Sequence, residues 1–217
     1  EIRTQTGFGA QVLDLGGGFG IAHNKQEKTR SLREIVGQIG RYARERLAAL
    51  QYPLPRLVLE PGRSIVGSAG TTIYTVGNIK RIPGVRTYMA VDGGMTDNPR
   101  VALYQAVYEG ALANKMNEPL TEVVTVTGKC CESGDMLIWD LPVAVPEPGD
   151  LLAVFDTGAY NYSMASNYNR LPRPAVVLVA DGEAEVIVRR ETYEQLVQND
   201  LLPERLKVKP EAEPIAK

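Results

Sequence analysis

The stretch Leu57-Val58-Leu59-Glu60-Pro61-Gly62-Arg63 decides how the N-terminal part of this 217-residue chain is read. Three consecutive apolar residues suit a short buried strand. The strand ends in a carboxylate, a rigid turn and a guanidinium, where neutral turn residues usually stand. In α/β barrels the carboxyl edge of the parallel strands carries the chemistry. Taken alone, the run fits an ordinary surface Glu–Arg pair equally well, and such pairs contribute little.

Upstream of it, Gln11-Val12-Leu13-Asp14-Leu15 reads as a second short buried strand that runs into Gly16-Gly17-Gly18-Phe19-Gly20. Between the strands, Leu32, Ile35, Val36, Ile39, Ala43, Leu47 and Leu50 recur at helical spacing, which predicts a helix from about Ser31 to Leu50. Ser31 with Glu34 three positions on forms a capping box that sets its start, and Pro53 and Pro55 end it. The unit is strand–helix–strand, a βαβ arrangement with a parallel pair. One such unit cannot bury both faces of a parallel sheet, so this portion is expected to belong to something larger.

Downstream of Ser68 the character changes to strands: Thr71–Val76, Thr87–Val91, Glu122–Thr127, Leu151–Phe155, Ala175–Ala180 and Glu183–Arg190. Asp181-Gly182 between the last two is a two-residue hairpin turn of the kind that needs positive φ. Many short strands with Gly, Pro and Asp turns predict a β-sandwich or barrel. Thr192 and Gln195 form a second capping box, before a short C-terminal helix, and the Pro/Glu/Lys-rich tail from Lys207 is expected to fray.

The 24 basic and 26 acidic side chains give a formal charge of -2, with no basic block to favour nucleic acid or an anionic membrane. No apolar run reaches membrane-spanning length, and no signal peptide is visible at Glu1-Ile2-Arg3. Cys130 and Cys131 are adjacent, which suits neither an ordinary disulfide nor, with His23 the single histidine, a zinc site. A reducing, cytoplasmic setting is expected.

Four segments carry chemistry. The glycine cluster suits a single-phosphate loop or a tight turn without ligand. It is not a dinucleotide fingerprint, because Ile21 stands where Gly-x-Gly-x-x-Gly requires its third glycine. Arg100 and Tyr104, one helical turn apart, suit a carboxylate clamp or two solvated positions. Cys130-Cys131-Glu132-Ser133-Gly134-Asp135 gathers thiol, acid and hydroxyl at a turn, as a reactive loop or a structural one. The polar–aromatic run Gly158–Asn169 suits a ligand site or a tyrosine-rich interface.

Together these segments resemble the pyridoxal-phosphate decarboxylases that pair a TIM-like barrel with a β-sandwich domain, in their diaminopimelate branch. The likeness runs from the Gly16 loop to the helix near Thr192. The Glu-Pro-Gly-Arg run and the glycine loop are shared with ornithine and arginine decarboxylases; the other segments are more specific. The resemblance implies an α/β plus all-β chain: the C-terminal fragment of a (β/α)8 barrel over residues 1–67, a β-sandwich or barrel domain over 68–191, and a short C-terminal helix with its tail over 192–217. It implies pyridoxal 5'-phosphate as cofactor, decarboxylation of meso-diaminopimelate to L-lysine by the intact enzyme, and a homodimer whose active site is shared across the interface.

By the same resemblance, Glu60 contacts the pyridine nitrogen. Gly16, Gly17, Gly18, Gly62 and Tyr160 hold the cofactor phosphate, with Arg63 beside them. Arg63, Arg100 and Tyr104 grip the distal carboxylate of the substrate, and Tyr160 also touches substrate. Glu132 pairs with the distal ammonium, and Cys131 lies beside the reacting carbon on a loop from the second subunit. The family's cofactor-linked lysine lies on an early barrel strand, and a histidine stacks on the ring. Neither has a counterpart here, and His23 is expected to be structural.

Overall fold

The structure, a computed structural model, describes residues 2–24 and 26–207. Lys25 and the tail beyond Lys207 lie outside the described residues.

A short helix α1 (Ile2–Thr6) precedes strand β1 (Val12–Asp14), helix α2 (Leu32–Ala49), strand β2 (Arg56–Val58) and a helical turn α3 (Arg63–Val66). The long β3 (Thr72–Ile82) and β4 (Arg86–Val91) follow, then the helical turn α4 (Arg100–Tyr104), β5 (Gly110–Leu112), β6 (Glu122–Thr127), β7 (Met136–Val143) and β8 (Leu151–Val154). The chain closes with β9 (Val176–Ala180), β10 (Glu183–Val188) and α5 (Tyr193–Val197).

The N-terminal unit forms as its sequence dictates. Ser31 caps α2 with both capping-box bonds in place, and the apolar stripe of Leu32, Ile35, Ile39, Ala43 and Leu47 is half-buried. β1 and β2 pair in parallel, Val12 with Arg56 and Leu13 with Leu57. No residue of α2 is fully buried, and Val12, Leu13 and Leu15 are exposed. Of the expected (β/α)8 barrel, the described residues contain this one βαβ unit.

Of the expected alternatives, sandwich or barrel, the structure takes the second: a single six-stranded sheet, ordered β5-β8-β3-β4-β6-β7, in which only β4 and β6 run parallel. It curls until its end strands approach: a Cβ on Gly110 of β5 would lie 3.2 Å from Ile138 Cδ1 of β7. The interior is filled by Tyr74, Val76, Met89, Val91, Val124, Val126, Leu137, Leu152 and Val154, all at or below 3% exposure. This near-closure hides edges that an open sheet would leave to pair elsewhere. β9 and β10 form a separate hairpin, with Asp181 (φ 53°) and Gly182 (φ 82°) in the expected turn.

The segment before α5 is tied down by one carboxylate. Glu191 accepts bonds from Asn167 Nδ2 (2.6 Å), from Arg173 N (2.8 Å) and from Arg173 Nε (2.8 Å), and also pairs with Arg173 Nη2. These bonds, above all from the Arg173 side chain and then its amide, hold the carboxyl at about 2 against an ordinary 4.5. The stabilisation is therefore complete above the ordinary value of 4.5 and lost as pH falls toward about 2. Carbon-13 titration of the Glu191 carboxyl is expected to show that low midpoint, and Arg173→Gln to return it toward the ordinary range. A wild-type midpoint above about 4 would contradict this assignment.

Candidate active site

The site begins where β1 and β2 stop. Their ladder continues past the strands: Leu15 N–H donates to Val58 O at 3.0 Å and Glu60 N–H to Gly16 O at 2.8 Å. The glycine loop and Glu60 therefore lie side by side. Gly17 is required for this approach, since a Cβ there would sit 2.4 Å from Glu60 O. Glu60 is exposed, and among the described residues its carboxylate makes no hydrogen bond or ion pair. Arg63 does not pair with it. Its guanidinium lies 5.5 Å from the centroid of the Tyr160 ring, so the surface Glu–Arg alternative does not hold.

The curled sheet brings the rest. Thr157 N–H donates to Gly70 O (3.0 Å) and Gly158 N–H to Gly67 O (2.9 Å), which clamps the chain after β8 onto the chain after α3. Tyr160 then falls against Gly62, its hydroxyl 1.9 Å from where a Gly62 Cβ would be. Buried Asn161 follows it.

Opposite stands Arg100, which is 6% exposed. Its Nη1 donates to Tyr108 Oη at 2.6 Å, and Tyr108 Oη lies 3.4 Å from its acceptor Asn161 Oδ1. Asp97 shapes the turn leading into α4. It accepts from Gly94 N (2.9 Å) and from Tyr74 Oη (2.5 Å), and burial raises its pKa. Arg100 is thus turned inward, whereas Tyr104 is 62% exposed.

Cys131 and Glu132 lie on a different loop, both exposed. The loop is organised by buried Asp135, which accepts from Cys130 N (2.7 Å) and Met95 N (2.6 Å). Cys131 N–H donates to Asn169 Oδ1 at 2.7 Å. Burial, then Asp135, raises the Cys130 thiol; Cys131 is the exposed one of the two cysteines.

Gly16–Gly18, Glu60, Gly62, Arg63 and Tyr160 therefore converge, joined by Arg100 through Tyr108 and Asn161. Tyr104, Cys131 and Glu132 do not join them within this one chain. The buried side-chain atoms without a protein partner include Arg63 Nε, Arg100 Nε, Asn161 Nδ2 and both ring nitrogens of His23. Four of these five atoms are N–H donors without a protein acceptor, and the fifth is the second nitrogen of the neutral imidazole. Among the described residues, the backbone N–H groups of exposed Gly17 and Gly18 and of half-buried Gly62 also meet no protein acceptor and stay open to a ligand, whereas the side-chain donors above are buried. Buried donors left unsatisfied are costly, so this lining fits an anionic, oxygen-rich guest such as a phosphate or carboxylate. Sequence reasoning missed Tyr108, which stands in no motif, and reached Asn161 only as one member of the Gly158–Asn169 run, without its link to Arg100. No group of His, Cys, Asp and Glu suited to a metal occurs among the described residues, and no helix there is long and apolar enough to cross a membrane.

Residues 12–158 match the family model described as pyridoxal-dependent decarboxylase, C-terminal sheet domain. The chain belongs to this pyridoxal-dependent lyase family. Within it, the chain is a homologue of diaminopimelate decarboxylases. It is 55% identical to that of Bacillus subtilis over 201 residues, which are 93% of this chain and 46% of the relative. It is 43% identical to that of Staphylococcus aureus over 90% of this chain and 47% of the relative. Among solved structures, diaminopimelate decarboxylase from M. jannaschii in co-complex with L-lysine superposes with a TM-score of 0.87 at 36% identity, covering 94% of this chain and 46% of that one. The chain spans about half the length of the relatives it matches.

Proposed function

We propose that this chain is part of an enzyme that removes CO2 from meso-diaminopimelate to give L-lysine, with pyridoxal 5'-phosphate bound beside the Gly16–Gly18 loop. The observation that carries the reading is the convergence of unpartnered donors around Arg63 and Arg100 beside Glu60, in a homologue of enzymes bearing that name. L-lysine in the M. jannaschii complex supports the substrate class.

When bound, the pyridoxal ring supplies the sink for the electron pair left as CO2 departs. Glu60 keeps a proton at the ring nitrogen, which deepens that sink. The Gly16–Gly18 loop and Gly62 offer backbone amides to the phosphate, and Tyr160 closes over Gly62. Arg63, Arg100 and Tyr104 grip the distal carboxylate. The pairing has a selective consequence: a buried guanidinium left without its carboxylate penalises any diamine precursor that lacks one. Glu132 neutralises the distal ammonium, and Cys131 handles the proton at the reacting carbon. Both belong to the loop of a second copy in a homodimer, in keeping with their exposure here.

The test is turnover by the intact protein that carries this sequence, loaded with pyridoxal phosphate. Meso-diaminopimelate is expected to yield equimolar CO2 and L-lysine, with ornithine and arginine slower by about 10^4-fold or more. Turnover of ornithine or arginine alone would overturn the assignment.

A further inference from the structure

His23 is buried against Tyr108, and the chemistry above gives it no task. It lies three residues past Gly20 and is 9% exposed, yet neither ring nitrogen has a protein partner. Its ring meets Tyr108 edge-on, with centroids 5.3 Å apart and planes at 70°. Tyr108 is the side chain that holds Arg100, so the imidazole touches the group that aims the guanidinium. A histidine kept only for packing normally satisfies at least one nitrogen.

The charged groups around the ring come from four segments. Arg100 faces it from α4, Arg63 from α3, and Asp156 from the chain after β8. Glu27 faces it from its own loop, but that carboxylate already accepts from His23 N (2.9 Å) and Asn24 Nδ2 (2.9 Å). Neither Arg63 nor Arg100 forms an ion pair with a carboxylate among the described residues. Two guanidiniums and an imidazole thus face one space, with Glu27 and Asp156 the carboxylates nearby and neither guanidinium ion-paired to them.

We propose that His23 is the third donor of the anion pocket formed by Arg63 and Arg100, and that it takes up a proton from solvent when a carboxylate enters. This rests on the reading that the two arginines hold a substrate carboxylate. Without a ligand, burial first and then the Arg100 and Arg63 charges hold the imidazole below its ordinary 6.5, so it is neutral at pH 7. An entering carboxylate cancels part of that field and accepts a bond from the protonated ring, which favours the charged form. Binding and protonation then reinforce each other. Carboxylate affinity rises as pH falls through the interval between the free and bound values, by at most about tenfold per pH unit.

L-Lysine is the suitable probe. It retains the carboxylate of the centre that is not decarboxylated and is not consumed. Cadaverine is the same chain without that carboxylate, so the ratio of the two affinities cancels any titration common to both amines. On the cofactor-loaded intact protein, the lysine-to-cadaverine affinity ratio is expected to climb about three- to tenfold per pH unit as pH falls around and below 6.5. His23→Gln keeps a donor but cannot titrate, and is expected to flatten that slope. A flat wild-type ratio, or a slope that survives His23→Gln, overturns the proposal. Arg100→Gln separates it from its parent reading: an unchanged lysine-to-cadaverine ratio there means that the arginines do not hold the carboxylate at all. Should His23→Gln fail to fold, nitrogen-15 titration of the wild-type histidines decides. One imidazole must titrate below 6.5 without lysine and move upward with it; none doing so refutes the assignment.

Discussion

In the intact, cofactor-loaded protein, Glu60→Gln is expected to lower the turnover of meso-diaminopimelate about 10^2- to 10^3-fold, the usual loss when one fixed charge or donor is removed from the reacting centre. The substitution is close to isosteric. Its backbone anchors are untouched, because Glu60 N–H donates to Gly16 O and Glu60 O lies against Gly17. Its carboxylate is exposed and makes no protein bond among the described residues, so folding loses little, within about 0.5 kcal/mol. What is lost is the negative charge that keeps the ring nitrogen protonated. The effect should therefore fall on kcat, with KM changed by less than about threefold. A variant that turns over within about threefold of wild type would remove Glu60 from the chemistry.

Local chemistry was the legible part of this chain. Ser31 and Glu34 stand three apart and set the start of α2, and Asp181-Gly182 sets a turn, because each device is complete within a few residues. β7 was hidden because Pro142 and Asp140 (φ 52°) interrupt its pattern. A proline is tolerated there because β7 is an end strand of the sheet. Whether the strands made two layers or one curled sheet depended on the non-local parallel pairing of β4 with β6, which no strand announces by itself. The candidate site divides in the same way. Glu60, Gly62 and the glycine loop were visible because charge and glycine at strand ends are unusual. The partner of Arg100 was not: Tyr108 and Asn161 are 53 residues apart and are brought together by the pairing of β5 with β8, Gly110 opposite Val154 and Phe155 N–H donating to Glu109 O, while the clamp of Gly158 onto Gly67 fixes the chain that leads to Asn161. His23 read as structural for the same reason, since its significance lies in what surrounds it.

That clamp gives the largest expected effect on stability. Gly158→Ala would place a Cβ 1.8 Å from Val66 O, 2.8 Å from Val66 C and 3.0 Å from Gly67 O. All three are backbone atoms, so no rotamer relieves the overlap. Gly70 is equally confined, its own Cβ position lying 2.3 Å from Gly158 Cα and N. The chain after α3 and the chain after β8 must therefore separate, at a cost of about 3 kcal/mol or more. Two other glycines calibrate this. Gly9→Ala meets nothing within 4 Å and is expected to leave the denaturation midpoint unchanged. Gly62→Ala meets only the Tyr160 hydroxyl and ring edge, the far end of a side chain that can swing away. It should keep the fold while moving Tyr160 from its place beside Arg63, so activity falls without comparable loss of stability. Denaturation midpoints and turnover of the intact variants test the order. If Gly158→Ala unfolds no more readily than Gly9→Ala, the backbone contact does not hold the two segments together. The geometry that aligns Arg63 with Tyr160 must then come from elsewhere in the intact protein.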